Sequence, residues 1–161
     1  LIDIVSKNGN MMLNVGLRPD GSLPYTFRNE LMKIGNWLKL NGEAIYDTRP
    51  FTVYGEGNFS AKAHQQQYAD YLYAFTAKDI RFTTKKNTIY VFAMDWPGNG
   101  AILKIRHLNS KKIRNIQSVS FLASGETVNW TQDINGLSIT MPSRPAGEYA
   151  YVFKVTLSDI Y

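Results

Sequence analysis

Cysteine is absent from the 161 residues. That excludes disulfide staples, thiolate zinc sites and thiol nucleophiles, and it leaves the redox compartment open. No run of 18 apolar residues occurs, so no helical membrane span is expected. No basic stretch leading into an apolar core opens the chain, so no signal peptide is visible. Charge is sparse at 19% of residues, and 18 Lys+Arg against 13 Asp+Glu leave a net charge of +5. A nucleic-acid binder concentrates such charge in one stripe. Here the basic residues fall in pairs, Lys85-Lys86 and Lys111-Lys112 with Arg114 nearby, which read as solvated strand ends and turns. No nucleic-acid partner is expected.

Cofactor signals are equally scarce. His64 and His107 stand far apart without a clustered carboxylate, so they make no metal site. Gly55-Glu56-Gly57 has neither the spacing nor the Lys-Ser/Thr of a phosphate loop. No metal or organic cofactor is implied. What the chain does have is 44% hydrophobic residues, with 10 Tyr, 8 Phe and 3 Trp. That suffices for a sizeable core and excludes disorder; the length fits one domain, or one domain and part of another.

Two periodicities meet near residue 47. Leu1-Ile2-Asp3-Ile4-Val5 reads as the middle of a structured element and no Met precedes it, so the expectation is a chain cut from something longer. Met11-Met12-Leu13-Asn14-Val15 is a short continuous apolar run between Asn8-Gly9-Asn10 and Gly16, the habit of a parallel strand buried on both faces. Arg18-Pro19-Asp20-Gly21 supplies turn chemistry, Ser22 a candidate N-cap and Pro24 a first-turn proline. Phe27, Leu31, Ile34 and Leu38 form one apolar stripe, predicting a helix over 24–40 that stops at a left-handed Asn41-Gly42.

After Pro50 the pattern changes to short strands, near 51–54, 71–77, 80–84, 88–93, 101–107, 113–123, 128–132, 137–141 and 149–157. Turns such as Pro97-Gly98-Asn99-Gly100 and Asp133-Ile134-Asn135-Gly136 punctuate them. Strands this short, several of them alternating, predict an antiparallel sandwich. Residues 60–70 would allow a short helix, but an exposed loop is favoured. One parallel strand and one helix leave strand edges and an apolar helix face uncovered, so the first 47 residues are not expected to form a domain. The resulting division is 1–47, a β/α unit, and 48–161, a β-sandwich.

Val5-Ser6-Lys7-Asn8-Gly9-Asn10-Met11-Met12-Leu13-Asn14-Val15-Gly16, Asp20-Gly21, Ile34-Gly35-Asn36-Trp37-Leu38 and Asn41-Gly42-Glu43-Ala44-Ile45-Tyr46 closely resemble the end of the catalytic domain in α-L-fucosidases of glycoside hydrolase family 29. Asp79-Ile80-Arg81-Phe82-Thr83-Thr84-Lys85 and Gly147-Glu148-Tyr149-Ala150-Tyr151 resemble landmarks of that family's C-terminal sandwich. Leu17, where many relatives carry Pro, and Met11-Met12, where Leu or an aromatic is usual, depart from the pattern. The resemblance implies a mainly β chain: an antiparallel β-sandwich preceded by the last β/α unit of a (β/α)8-like barrel. It implies a parent enzyme that hydrolyses terminal α-linked fucose with retention. It also places the Asp nucleophile, the acid/base and the fucose-holding His and Trp residues upstream of this chain. The implied partner is a fucosylated glycan met through that catalytic domain, in a secreted, periplasmic or lysosomal setting. Homo-oligomerisation stays open.

A retaining glycosidase needs two carboxyl groups, and the local carboxylates do not supply them. Turn, cap and surface roles account for Asp3, Asp20 and Glu43. Asp95-Trp96-Pro97-Gly98 has two readings. A carboxylate beside an aromatic ring can bind sugar through its C–H faces, or Trp96 can fold over the core edge at a strand end. Asn14 also has two. It could approach a barrel's active-site end, or satisfy backbone groups in the turn after its strand. Trp37 and Trp130 read most simply as core or interface residues. Three functions follow for the chain: part of a fucosidase without its catalytic groups, a carbohydrate-binding module, or a structural brace.

Overall fold

The computed structural model describes residues 1–57 and 74–158. A single-turn helix α1 (Ile2–Ser6) and a long helix α2 (Tyr25–Asn41) come first, with a 3-10 turn at Gly42–Ala44. Among the described residues eight strands follow: β1 (Arg49–Glu56), β2 (Ile80–Lys85), β3 (Thr88–Ala93), β4 (Ile102–Ile105), β5 (Ile116–Phe121), β6 (Trp130–Asp133), β7 (Gly136–Thr140) and β8 (Tyr151–Leu157). They form a five-stranded sheet in the order β1-β2-β3-β8-β5 and a three-stranded sheet in the order β4-β7-β6. All the pairings between them are antiparallel.

The sheets face each other over one core. Phe82, Val91, Val119, Phe121, Phe153 and Val155 of the larger sheet meet Ile105, Leu137 and Ile139 of the smaller, and each is fully buried. Register builds this core, because Phe82 pairs with Val91, Val91 with Phe153, and Phe121 with Phe153. In β3, Ile89, Val91 and Ala93 point into the sandwich while Tyr90 and Phe92 point to the other face. That second face is sealed by Trp37, Ala44 and Ile45. Strands covered on both sides carry near-continuous apolar runs even in an antiparallel sheet, which is why Ile89-Tyr90-Val91-Phe92-Ala93 has no polar side-chain group but the Tyr90 phenol.

Two-residue turns close the β2–β3 and β6–β7 hairpins, with Lys85 opposite Thr88 and Asp133 opposite Gly136. Gly136 sits at φ +148°, and a Cβ there would strike the backbone of Ile105. Glycine is thus required for the hairpin to lie against the end of β4.

Several expectations are corrected. Met11-Met12-Leu13-Asn14-Val15 is not a strand: residues 9–18 have no regular structure, and Met12 is 96% exposed. Among the described residues that run pairs with no strand of either sheet. Backbone without a partner has no ladder to form. Residues 2–6, read as part of a larger element, form the single-turn helix α1. The long helix runs as expected, but its cap position is Pro24 rather than Ser22 and carries no side-chain cap bond. Gly42 is right-handed (φ −60°), so the helix tightens into the 3-10 turn instead of ending in a left-handed residue. Of residues 71–77, the described part (74–77) is not a strand; 71–73 and the loop expected at 60–70 lie outside the described residues.

Candidate functional site

The apolar stripe of α2 is not the face that docks most deeply, although its Leu38 reaches the second core. Phe27 is 45% exposed and Leu31, Ile34 and Leu38 are half-buried, whereas Trp37 and Asn41, one turn apart, are buried. The docking face is rotated by roughly 70° around the helix from the stripe. Trp37 Nε1 donates to the carbonyl of Ala150 at 2.9 Å, inside the second core. Tyr149, beside it, holds φ +71°, which turns the chain into β8.

Polar links surround this apolar contact. Arg81 is fully buried on β2, and its Nε donates to Asp3 Oδ1 of α1 at 2.5 Å. The guanidinium lies over the rings of Tyr54 and Phe75, 5.5 and 5.1 Å from their centroids, and also donates to the carbonyl of Ile80. Burial would raise the Asp3 pKa, but hydrogen bonds from Lys7 and Arg81 outweigh it and hold the carboxyl below its ordinary range. Thr83 Oγ1 donates to the carbonyl of Ala44 at 2.7 Å. Glu43 accepts from Lys154 Nζ at 2.6 Å and from Tyr90 Oη at 2.7 Å. Those two bonds lower the Glu43 pKa, while burial and then Glu43 itself push the Tyr90 phenol up.

A pocket of about 390 Å³ opens between α1, α2 and the sandwich, lined largely by Ile2, Ile34, Trp37, Phe75, Met94 and Tyr149. Neither Asn14, Asp95 nor Trp96 lines it. Asn14 is exposed in the irregular run after α1. Trp96 is half-buried, edge-on to Tyr151 with ring centroids 4.8 Å apart, and its Nε1 donates to Asn99 Oδ1 at 2.9 Å. Asp95 is exposed and accepts the backbone N–H of Trp96. Trp96 and Asp95 are neighbours in the chain; Asn14 shares no hydrogen bond with either among the described residues.

Four other carboxylates hold backbone. Asp20 accepts the Ser22 N–H, Asp133 those of Asn135 and Gly136, Asp79 that of Thr76, and the buried Glu56 those of Arg106 and His107. The hydrogen bonds from Ser22 and Asn135 keep Asp20 and Asp133 below the usual carboxylate range. A general acid needs the opposite, a carboxyl pushed up. Among the described residues no group of three His, Asp or Glu could hold a metal, and no helix is long and apolar enough to cross a membrane. Sequence reasoning missed Arg81 as the anchor of the joint. The signal was present, since an Arg between Ile80 and Phe82 falls inside a strand that is otherwise core.

Residues 74–156 match the family described as Alpha-L-fucosidase C-terminal domain. The chain belongs to that family. Residues 1–43 match a second family, described as Alpha-L-fucosidase. The tissue alpha-L-fucosidases of Rattus norvegicus and Mus musculus are 30% and 31% identical over 161 residues, covering 97% of this chain and 30% and 31% of theirs. The crystal structure of the Thermotoga maritima alpha-fucosidase in complex with fucose aligns over 96% of this chain and 32% of that one, with 27% identity and a TM-score of 0.74. This chain therefore spans about a third of the length of the relatives it matches. The two fucosidase matches abut the joint from either side: Asp3, Trp37 and Glu43 fall in the first, Arg81, Thr83, Tyr90, Ala150 and Lys154 in the second.

Proposed function

We propose that this chain forms the C-terminal third of a retaining α-L-fucosidase that releases terminal α-linked fucose from glycoconjugates, and that its own part is to brace the catalytic domain. In this reading residues 1–47 complete a (β/α)8-like barrel and 48–161 are the appended sandwich. The nucleophile and acid/base lie outside the chain. The observation that carries the reading is the asymmetry of residues 1–47. One flank is locked to the sandwich by Trp37, Asp3 and Glu43, and the other exposes Met12, Leu13, Leu17 and Phe27. Several large apolar side chains exposed within one segment fit a face that another surface covers. Pairing with a neighbouring barrel strand would turn residues 11–15 into a strand and set Asn14 near the active-site end. Relatives named tissue and plasma fucosidases support a secreted or lysosomal enzyme.

Sugar binding by the sandwich itself, through Asp95 and Trp96, draws support only from the exposed carboxylate beside a half-buried ring. The ring's contacts with Tyr151 and Asn99 favour bracing. The isolated 161-residue chain is expected to leave an aryl α-L-fucoside intact, while the polypeptide translated from the complete reading frame hydrolyses it with retention. Turnover by the isolated chain at the rate of an intact fucosidase would overturn the assignment of its catalytic groups to residues elsewhere.

A further inference from the structure

Between Trp96 and Gly125 the chain has no Asp or Glu, yet residues 104–114 contain Lys104, Arg106, Lys111, Lys112 and Arg114. All five are exposed. They gather at one end of the three-stranded sheet. Lys104 and Arg106 lie on the outward side of β4 and its continuation, because Leu103 and Ile105 are the residues turned into the core. Lys78, Lys104 and Arg106 line a common groove of about 560 Å³.

The loop that carries the other three is held at both ends. Gln132 Nε2 donates to the carbonyls of Leu108 and Ile113, each at 2.9 Å. Asn109 Oδ1 accepts the N–H groups of Lys111 and Lys112, and its Nδ2 donates to the Arg106 carbonyl. The local acids are already engaged. Glu56 is buried under the 106–107 backbone and lies 3.7 Å from Arg106 Nε, and Asp133 caps the turn after β6 within the field of Lys104.

We propose that this ledge docks a polyanionic glycan, a sulfated polysaccharide chain. A loop whose backbone is pinned loses little order on binding, and clustered exposed cations concentrate positive potential where an anionic polymer meets them. A nucleic acid fits less well. Single-strand binders interleave cations with aromatic platforms, and residues 97–120 contain no Phe, Tyr or Trp. The proposal is independent of the fucosidase reading, since it is read by binding and not by hydrolysis.

The test uses heparin as the sulfated probe, neutral dextran as control and poly(dT) as the nucleic-acid comparison. The chain should bind heparin with an affinity that falls steeply with salt and should ignore dextran. The variant K111Q/K112Q/R114Q should weaken heparin binding by about tenfold or more, while R28Q/K39Q/K86Q, which lowers the net charge equally at other exposed positions, should weaken it by less than about twofold. Equal losses in the two variants would reduce the effect to net charge and overturn the ledge. Poly(dT) binding as tight as heparin would overturn the glycan assignment, and no heparin binding would overturn both.

Discussion

In the sandwich Phe82, Val91, Phe121 and Phe153 are sealed on every side, whereas in the opening segment Met12 is 96% exposed, Leu17 64% and Leu13 52%. The two regions do not differ in apolar content. They differ in whether the described chain supplies the second surface. Each sandwich strand finds a ladder partner and a facing sheet, and the five-stranded sheet finds α2 for its other side. The run 11–15 finds neither, so a sequence that resembles a barrel strand stays irregular. Burial, more than propensity, decides which stretches become regular.

The contrast can be broken hardest at Phe153. Phe153→Ala removes a ring stacked 5.3 Å from Phe121 in the shared core, and should destabilise the chain by about 3–5 kcal/mol in urea denaturation. Asp3→Asn attacks the joint instead. It takes the Asp3 charge away from the buried Arg81, and should cost about 2–3 kcal/mol and speed proteolytic cleavage within residues 1–47. The restoring double variant D3N/R81M tests the coupling, since it should recover part of that loss. Trp37→Phe keeps most of the apolar contact but strands the Ala150 carbonyl, for about 1–2 kcal/mol.

Acid should loosen the same joint. Asp3 and Glu43 both have native pKa values below their ordinary 3.8 and 4.5. Their contribution is complete above those ordinary values and is lost as pH falls through the lower native ones. A pH series of thermal melts, run on the parent and on D3N, should show the parent's advantage shrinking below about pH 4. The smallest effect belongs to the exposed flank: Met12→Gln should change stability by less than about 0.5 kcal/mol while reducing self-association.

The strands were legible because turn residues punctuate them and their apolar residues are long and β-branched. Thr88–Ala93 agrees at both ends with the expectation from alternation. Less legible was that β3 and β8 are covered twice, since tracing a second buried face requires knowing that Trp37 and Ala44 return to it. The helix was readable from its stripe, but its docking face was not. Trp37 docks because the Ala150 carbonyl is presented there, information that lies 113 positions away in the chain. The site residues divide in the same way. Asp95 and Trp96 advertised themselves by type, whereas Arg81 matters through Asp3, 78 positions away.

Amide hydrogen exchange, compared between the isolated chain and the polypeptide from the complete reading frame, reads out whether residues 11–15 lack a partner surface. In the isolated chain, β3 and β8 should exchange only through global unfolding, while residues 10–18 exchange almost without protection. In the longer polypeptide residues 11–15 should become protected as a paired strand. Protection of 11–15 in the isolated chain equal to that of β3, or its continued absence in the longer one, would contradict the account.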